Sequence, residues 1–215
     1  MKKIRLLLAD DHKMVREGLK AFFAPTDDFD VVAEAEDGLE AVENAIKTRP
    51  DVILLDLVMP NMDGIEAAKS IKQKMPDAQI IIITSSLEES QVIASIKAGA
   101  AGYLLKDSSP LEIEEAIKKV NRGETAFPSR ITNIMVKELN KPSKPVSKCT
   151  TLTERETAIL KLIANGMSNQ EIADQLFLSV WTVRTYVTAI LDKLEVDNRT
   201  QATLYALREG LVKLD

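Results

Sequence analysis

Cysteine is nearly absent from this chain of 215 residues. Cys149 stands alone, so the chain can form neither an intrachain disulfide nor a cysteine-built metal site. Histidine is as scarce. His12 follows two aspartates, but one nitrogen beside hard oxygen groups is a poor start for a metal cluster, and it reads as a partly exposed helix-start residue. Long apolar runs are missing too. Met1-Lys2-Lys3-Ile4-Arg5 leads into only four apolar residues before Asp10, too few for a signal-peptide core, and no later run approaches a membrane span. A cytoplasmic protein with no membrane partner is expected. There is also no surplus of positive charge, since 28 Lys+Arg face 33 Asp+Glu.

The charge is unevenly placed. Residues 1–129 hold 16 Lys+Arg and 23 Asp+Glu, a net −7, whereas residues 130–215 hold 12 and 10, a net +2. An acidic half joined to a mildly basic one predicts two domains with different partners. In the first half, apolar runs at 4–9, 31–35, 52–55, 79–83 and 102–105 alternate with helical periods near 12–24, 38–48, 64–75, 88–98 and 110–122. Five such repeats predict an α/β fold, a doubly wound five-stranded parallel sheet with helices on both faces. A short helix over 129–139 precedes Asn140-Lys141-Pro142-Ser143-Lys144-Pro145-Val146-Ser147-Lys148, which has the composition of an extended tether. Beyond it the pattern is helical at 153–165, 169–175, 180–194 and 199–210. Thr153 with Glu156 and Ser168 with Glu171 form capping boxes, and Gly166 ends the first of these helices. The domains expected are 1–124, a helix and linker over 125–149, and a small all-α domain over 150–215.

Asp10, Asp11, Asp56, Thr84 and Lys106 all fall at the C-terminal ends of apolar runs. Strand ends in an open parallel sheet converge on one edge, where such folds place their chemistry. Three carboxylates, a hydroxyl and an ammonium gathered there suit a small hard cation such as magnesium and a phosphoryl group, with Asp56 as carboxylate nucleophile. Taken one at a time, each residue has a plainer reading: Asp11 as a helix N-cap, Lys106 as a solvated charge. Their shared edge argues for a site.

Four blocks sharpen this reading. Leu8-Ala9-Asp10-Asp11-His12, Leu55-Asp56-Leu57-Val58-Met59-Pro60-Asn61-Met62-Asp63-Gly64, Ile83-Thr84-Ser85 and Tyr103-Leu104-Leu105-Lys106 resemble the signatures of the receiver domain of bacterial two-component response regulators. The resemblance implies a flavodoxin-like receiver phosphorylated on Asp56 by a histidine kinase. It also implies Mg2+ on Asp10, Asp11, Asp56 and the Val58 backbone carbonyl, Thr84 and Tyr103 as a switch pair, and Lys106 on the phosphate.

In the second half, Ile172, Ala173 and Leu176 match Val183, Val187 and Ile190 at helical spacing, so two short helices share a core and can present the second to a DNA major groove. Leu152-Thr153-Glu154-Arg155-Glu156, the run from Ile163 to Ala173, Thr182-Val183-Arg184-Thr185-Tyr186-Val187, Leu191-Asp192-Lys193-Leu194 and Asn198-Arg199-Thr200-Gln201-Ala202 resemble the LuxR-type helix-turn-helix. Receiver plus this module is the NarL/FixJ pattern, and Leu194-Glu195-Val196 is similar to the cell-envelope-stress branch of Gram-positive bacteria. The resemblance implies base contacts from Arg184, Thr185 and Thr188, and phosphate contacts from Thr182, Tyr186 and Lys193. Trp181 packs either on the DNA backbone or over the core. Residues 150–215 hold seven Lys+Arg and nine Asp+Glu, so one copy should bind DNA weakly and two copies are needed on a pseudo-palindromic site. Leu204, Tyr205 and Leu207 form the expected dimer face, with an intramolecular core as the alternative.

The expected function is therefore a phosphorylation-activated, dimerising transcription regulator acting on double-stranded promoter DNA, and not a dedicated enzyme. A phosphatase with an aspartyl nucleophile is the first rival, but such enzymes often carry an acid-base aspartate where Val58 stands. A constitutive DNA-binding protein is the second, and it would need the acidic site broken.

Overall fold

Five apolar runs become the strands of one sheet: β1 (Ile4–Ala9), β2 (Phe29–Ala35), β3 (Val52–Asp56), β4 (Ile80–Thr84) and β5 (Gly102–Leu105). The computed structural model describes residues 3–139, 152–196 and 198–212. The expected tether and Cys149 lie outside the described residues. All strand pairs are parallel, in the order β2-β1-β3-β4-β5. The order reverses between β1 and β3, which opens a crevice beyond their C-terminal ends.

Side chains alternate across the sheet. Leu7, Ala9, Ile53, Leu55, Ile80, Ile82 and Tyr103 face helices α2 (Gly38–Thr48), α3 (Gly64–Lys74) and α4 (Glu89–Lys97). Leu6, Leu8, Val52, Leu54, Ile81, Ile83 and Leu104 face α1 (Lys13–Phe23) and α5 (Pro110–Asn121). Both faces are dry, which explains runs without polar alternation. Each fully buried Leu or Ile contributes about 1.5–3 kcal/mol. Two strands extend one residue past the expected ends, so Asp56 and Thr84 are the last paired residues of β3 and β4, in register with Ile83 and Leu105. Sheet pairing therefore fixes their backbones.

After α5 the chain returns beside β5, where Tyr103 N–H donates to the Ala126 carbonyl at 3.0 Å. Helix α6 (Ser129–Leu139) then adds Ile131, Ile134 and Met135 to the α2–α4 side of the core. The second unit comprises α7 (Glu154–Ala164), α8 (Asn169–Leu176), α9 (Val180–Lys193) and α10 (Arg199–Arg208). Capping boxes at Thr153 and Ser168 start α7 and α8, and the side chains of Ser179 and Asn198 cap α9 and α10. Ile159, Leu160, Ile163, Ile172, Val183, Ile190, Ala202 and Ala206 fill its core.

The two units touch along α10. Asn198 Nδ2 donates to the Ile96 carbonyl at 2.9 Å, Gln201 Nε2 donates to the Lys97 carbonyl at 3.1 Å, and Leu204 packs against the α2–α4 side of the receiving core. Beside this contact lies a cleft of about 390 Å³ at the N-terminal edge of the sheet, lined in part by Lys72, Arg184, Val187, Leu191 and Arg199. Burial there pulls the Lys72 ammonium down to about 8 and the Arg199 guanidinium to about 10.

Candidate functional site

The crevice at the end of β1 and β3 gathers the acidic residues. Asp10 and Asp56 are buried, and carboxylate oxygens of Asp10, Asp11 and Asp56 lie within 4.8 Å of one another, together with a nitrogen of His12. Lys106 Nζ sits 2.7 Å from Asp10 Oδ2 and 2.9 Å from Asp56 Oδ2, bridging the two carboxylates. Burial raises the Asp56 carboxyl above its usual range; the Lys106 hydrogen bond opposes this and the nearby Asp10 charge adds to it. Burial alone would lower the Lys106 ammonium, but its bonds to Asp10 and Asp56 outweigh that and raise it. The donors are hard oxygens, with a single cation placed where excess negative charge would otherwise repel itself. That set fits a small divalent ion, which the carboxylates of Asp10, Asp11 and Asp56 could hold.

Local structure aims these groups. Asp11 is not the cap of α1. That position belongs to His12, whose backbone N–H donates to Asp10 Oδ1 at 2.8 Å and whose Nδ1 lies 2.6 Å from Asp11 Oδ1. Gly64 opens α3 directly behind Asp56. An added Cβ there would lie 2.1 Å from the Asp56 carbonyl oxygen, and the Gly64 N–H holds the Leu57 carbonyl at 2.9 Å.

Arg16 was not singled out from the sequence. It is buried, donates to the Asp10 carbonyl at 2.6 Å and pairs with Glu36, so it holds the acidic loop against the end of β2. Its spacing was the available signal: Arg16 lies three residues before Leu19 and seven before Phe23, on the inward face of α1.

Thr84 is buried, with Oγ1 accepting from the Ser86 N–H at 3.4 Å. Tyr103 is fully buried, and its hydroxyl donates to the Ser86 carbonyl at 3.4 Å. The inward ring therefore has the polar partner that its hydroxyl requires. Burial pushes the phenol up to about 12. Val58 is largely exposed, an apolar side chain at the position where a phosphatase would place its acid.

In the helical unit, Trp181, Arg184, Thr185 and Thr188 are exposed along one face of α9, opposite buried Val183 and Ile190. Thr182 and Tyr186 are half-buried on its flanks. Trp181 does not cover the core; 75 % of its surface is open. Lys193 has a partner of its own. Its Nζ bonds both carboxylate oxygens of buried Glu156 at 2.7 Å, tying α9 to α7, where a DNA phosphate had been expected. Leu204, Tyr205 and Leu207 are half-buried, with Leu204 against the α/β unit and Tyr205 against the helical core.

Comparisons with known proteins agree with this architecture. Residues 6–118 match the response regulator receiver domain, and residues 150–206 match the luxR family of bacterial regulatory proteins. The chain is 46 % identical to the transcriptional regulatory protein LiaR of Bacillus subtilis (strain 168), over 97 % of this chain and 99 % of that one. It is 41 % identical to the response regulator protein VraR of Staphylococcus aureus (strain NCTC 8325 / PS 47), over 98 % and 99 %. A solved structure of two RcsB dimers bound to two parallel DNAs is 26 % identical and covers 97 % of this chain and all of that one (100 %), with a TM-score of 0.56. No helix among the described residues is long and apolar enough to cross a membrane. The chain belongs to the two-component response regulators that join a receiver to a luxR-family helix-turn-helix: a DNA-binding transcription regulator of the LiaR/VraR type rather than an enzyme.

Proposed function

We propose that Asp56 is the phospho-acceptor and that a cytoplasmic encounter with a sensor histidine kinase supplies the phosphoryl group. The observation that carries this is the Lys106 ammonium bridging Asp10 and Asp56 in the crevice where the strand order reverses. An Asp56 carboxylate oxygen attacks phosphorus as the bond from phosphorus to the kinase's imidazole nitrogen breaks, and the imidazole departs with that electron pair. Lys106 then shifts its hydrogen bonds to the new phosphoryl oxygens, and the Thr84 hydroxyl donates to one of them. Mg2+ would be held by Asp10, Asp11, Asp56 and the Val58 carbonyl, and when bound it supplies positive charge against the phosphoryl oxygens. Thr84 and Tyr103 meet at the Ser86 backbone, which gives the new charge a route toward α4.

Residues 1–124 act as the receiver, 125–149 as helix and linker, and 150–215 as the DNA reader. Arg184, Thr185 and Thr188 face the bases, and Thr182 and Tyr186 touch phosphates. Lys193 reaches a phosphate only from its place on Glu156. Arg184, Val187 and Leu191 line the cleft shared with the receiver, so reading DNA with Arg184 requires that cleft to open. Opening also releases Leu204, which with Tyr205 and Leu207 then joins two copies on a pseudo-palindromic site. The DNA-bound dimers of the RcsB structure support that assembly.

The test pairs the native chain with Asp56→Ala, each treated with acetyl phosphate and Mg2+. The native chain should become phosphorylated, elute as a dimer and bind promoter DNA more tightly, and the variant should do none of these. Unchanged mass and DNA affinity in the phosphorylated native chain would refute the coupling.

A further inference from the structure

The exposed stripe of α9 carries surprisingly few hydrogen-bond donors. Thr185 Oγ1 donates to the Trp181 carbonyl at 3.1 Å, and Thr188 Oγ1 donates to the Arg184 carbonyl at 3.2 Å. Both hydroxyl protons are thus spent on the helix's own backbone, one turn back. Thr182 Oγ1 lies 2.7 Å from Ser179 Oγ, within the cap. What the stripe offers outward is the Trp181 indole with its one N–H, one guanidinium, and the methyl groups and acceptor oxygens of two threonines. Among the described residues, no acidic side chain pairs with Arg184, so its fork of donors becomes available once the cleft opens.

The major groove presents two kinds of feature that such a surface can read. Guanine shows paired acceptors, O6 and N7, which an arginine takes in a bidentate contact; thymine shows a C5 methyl, which apolar groups recognise by contact. Cytosine and adenine show amino donors, for which the stripe has no carboxylate and no amide, only the remaining lone pairs of two threonine hydroxyls. Trp181, Arg184, Thr185 and Thr188 are spaced three, four and seven residues from the first, so they face one strip of groove together. Trp181 is the second residue of α9, close to the end that enters the groove in helix-turn-helix docking, and its ring is the largest apolar surface of the set.

We infer that α9 reads a guanine flanked by thymines, with Arg184 taking the guanine and the Trp181 ring and the Thr185 and Thr188 methyl groups packing on thymine C5 methyls. Trp181 is thereby a specificity-determining residue. The inference rests on the reading of α9 as the DNA-contacting helix.

Deoxyuridine differs from thymidine only by that methyl, so it isolates the contact. The full chain, treated with acetyl phosphate and Mg2+ so that the cleft opens, is used to select its tightest duplex from a random-sequence pool, and the selected duplex is then synthesised with thymine and with uracil. Uracil inside the protected base pairs should weaken binding about fourfold for each methyl contacted, the worth of one buried methyl group. Uracil outside them should change nothing. Trp181→Lys should lose about fourfold of the thymine-to-uracil ratio, while its added phosphate-seeking cation acts equally on both duplexes. Arg184→Ala should weaken both duplexes and leave the ratio intact. Equal affinity of the native chain for thymine and uracil duplexes overturns the inference and leaves the DNA-binding reading standing. An unchanged ratio in Trp181→Lys overturns the role of Trp181, placing its ring on the sugar-phosphate backbone. Failure to select any duplex overturns both the inference and the reading beneath it.

Discussion

The receiver crevice and the α9 stripe handle polar groups in opposite ways. In the crevice, Asp10, Asp56 and Lys106 are buried or nearly so, each within hydrogen-bond distance of another, and Asp56 is held above its ordinary carboxyl range by burial. On α9 the groups stand in water, with threonine hydroxyls satisfied locally and Arg184 unpaired among the described residues. A site that performs a reaction must be assembled before its substrate arrives, since electrostatic preorganisation is what lowers the barrier. A surface that reads a sequence must leave its contacts unmade until the partner supplies them. Electrostatic strain is therefore concentrated in the first region and nearly absent from the second.

The strongest way to break this contrast is to remove the cation from the crevice. Lys106→Met leaves two buried carboxylates facing each other, and losing one partner of a buried pair costs roughly 3–5 kcal/mol. Urea denaturation should show that loss in metal-free buffer and a partial recovery in Mg2+, which replaces the missing positive charge. No recovery would mean that the carboxylates do not hold the ion. Gly64→Ala probes the backbone behind the same site. Its Cβ has no room beside the Asp56 carbonyl, and relieving that clash should cost about 1–3 kcal/mol. Phosphorylation of Asp56 by acetyl phosphate should slow in parallel, whereas wild-type stability in thermal melts would show that α3 shifts freely.

The smallest effect expected lies in the reader. Hydrogen bonding to Lys193, then to the Thr153 N–H, holds the Glu156 carboxyl below its usual value. Its contribution to stability is fully present above the unfolded value of 4.5 and is lost as pH falls through the lower folded one. Lys193→Met removes the first of these causes. An NMR titration should then find Glu156 nearer 4.5, with faster amide exchange in α7 and α9 under mild acid. An unmoved titration would assign the shift to the Thr153 cap alone.

Apolar runs and caps were enough to place almost every element, because both signals are local. Phe29 fell outside the second expected strand, since its place there comes from pairing with Ile4, a partner 25 residues away in the chain. The crevice was legible for a related reason: all parallel strands end at the same edge, so residues at strand ends needed no further information to converge. Contacts between elements were not. Nothing in the sequence tied Lys193 to Glu156, brought Arg16 onto the Asp10 carbonyl or set Leu204 against the receiver. Each depends on where two helices or two units meet, and helical periodicity shows only that a face is apolar or charged. The core alternative for Trp181 was likewise removed by exposure and not by spacing.

The buried amide of Asn198 divides its two ends between the units. Its Oδ1 accepts from the Gln201 N–H and starts α10, while its Nδ2 holds the Ile96 carbonyl at the end of α4. In the release proposed above, the nitrogen would lose its partner but the oxygen would keep its own. The reader then departs as a finished body, with no turn of helix to rebuild before it meets DNA. On the proposed release, separation and readiness would be a single event, with the delay between signal and binding set by separation and diffusion rather than by folding.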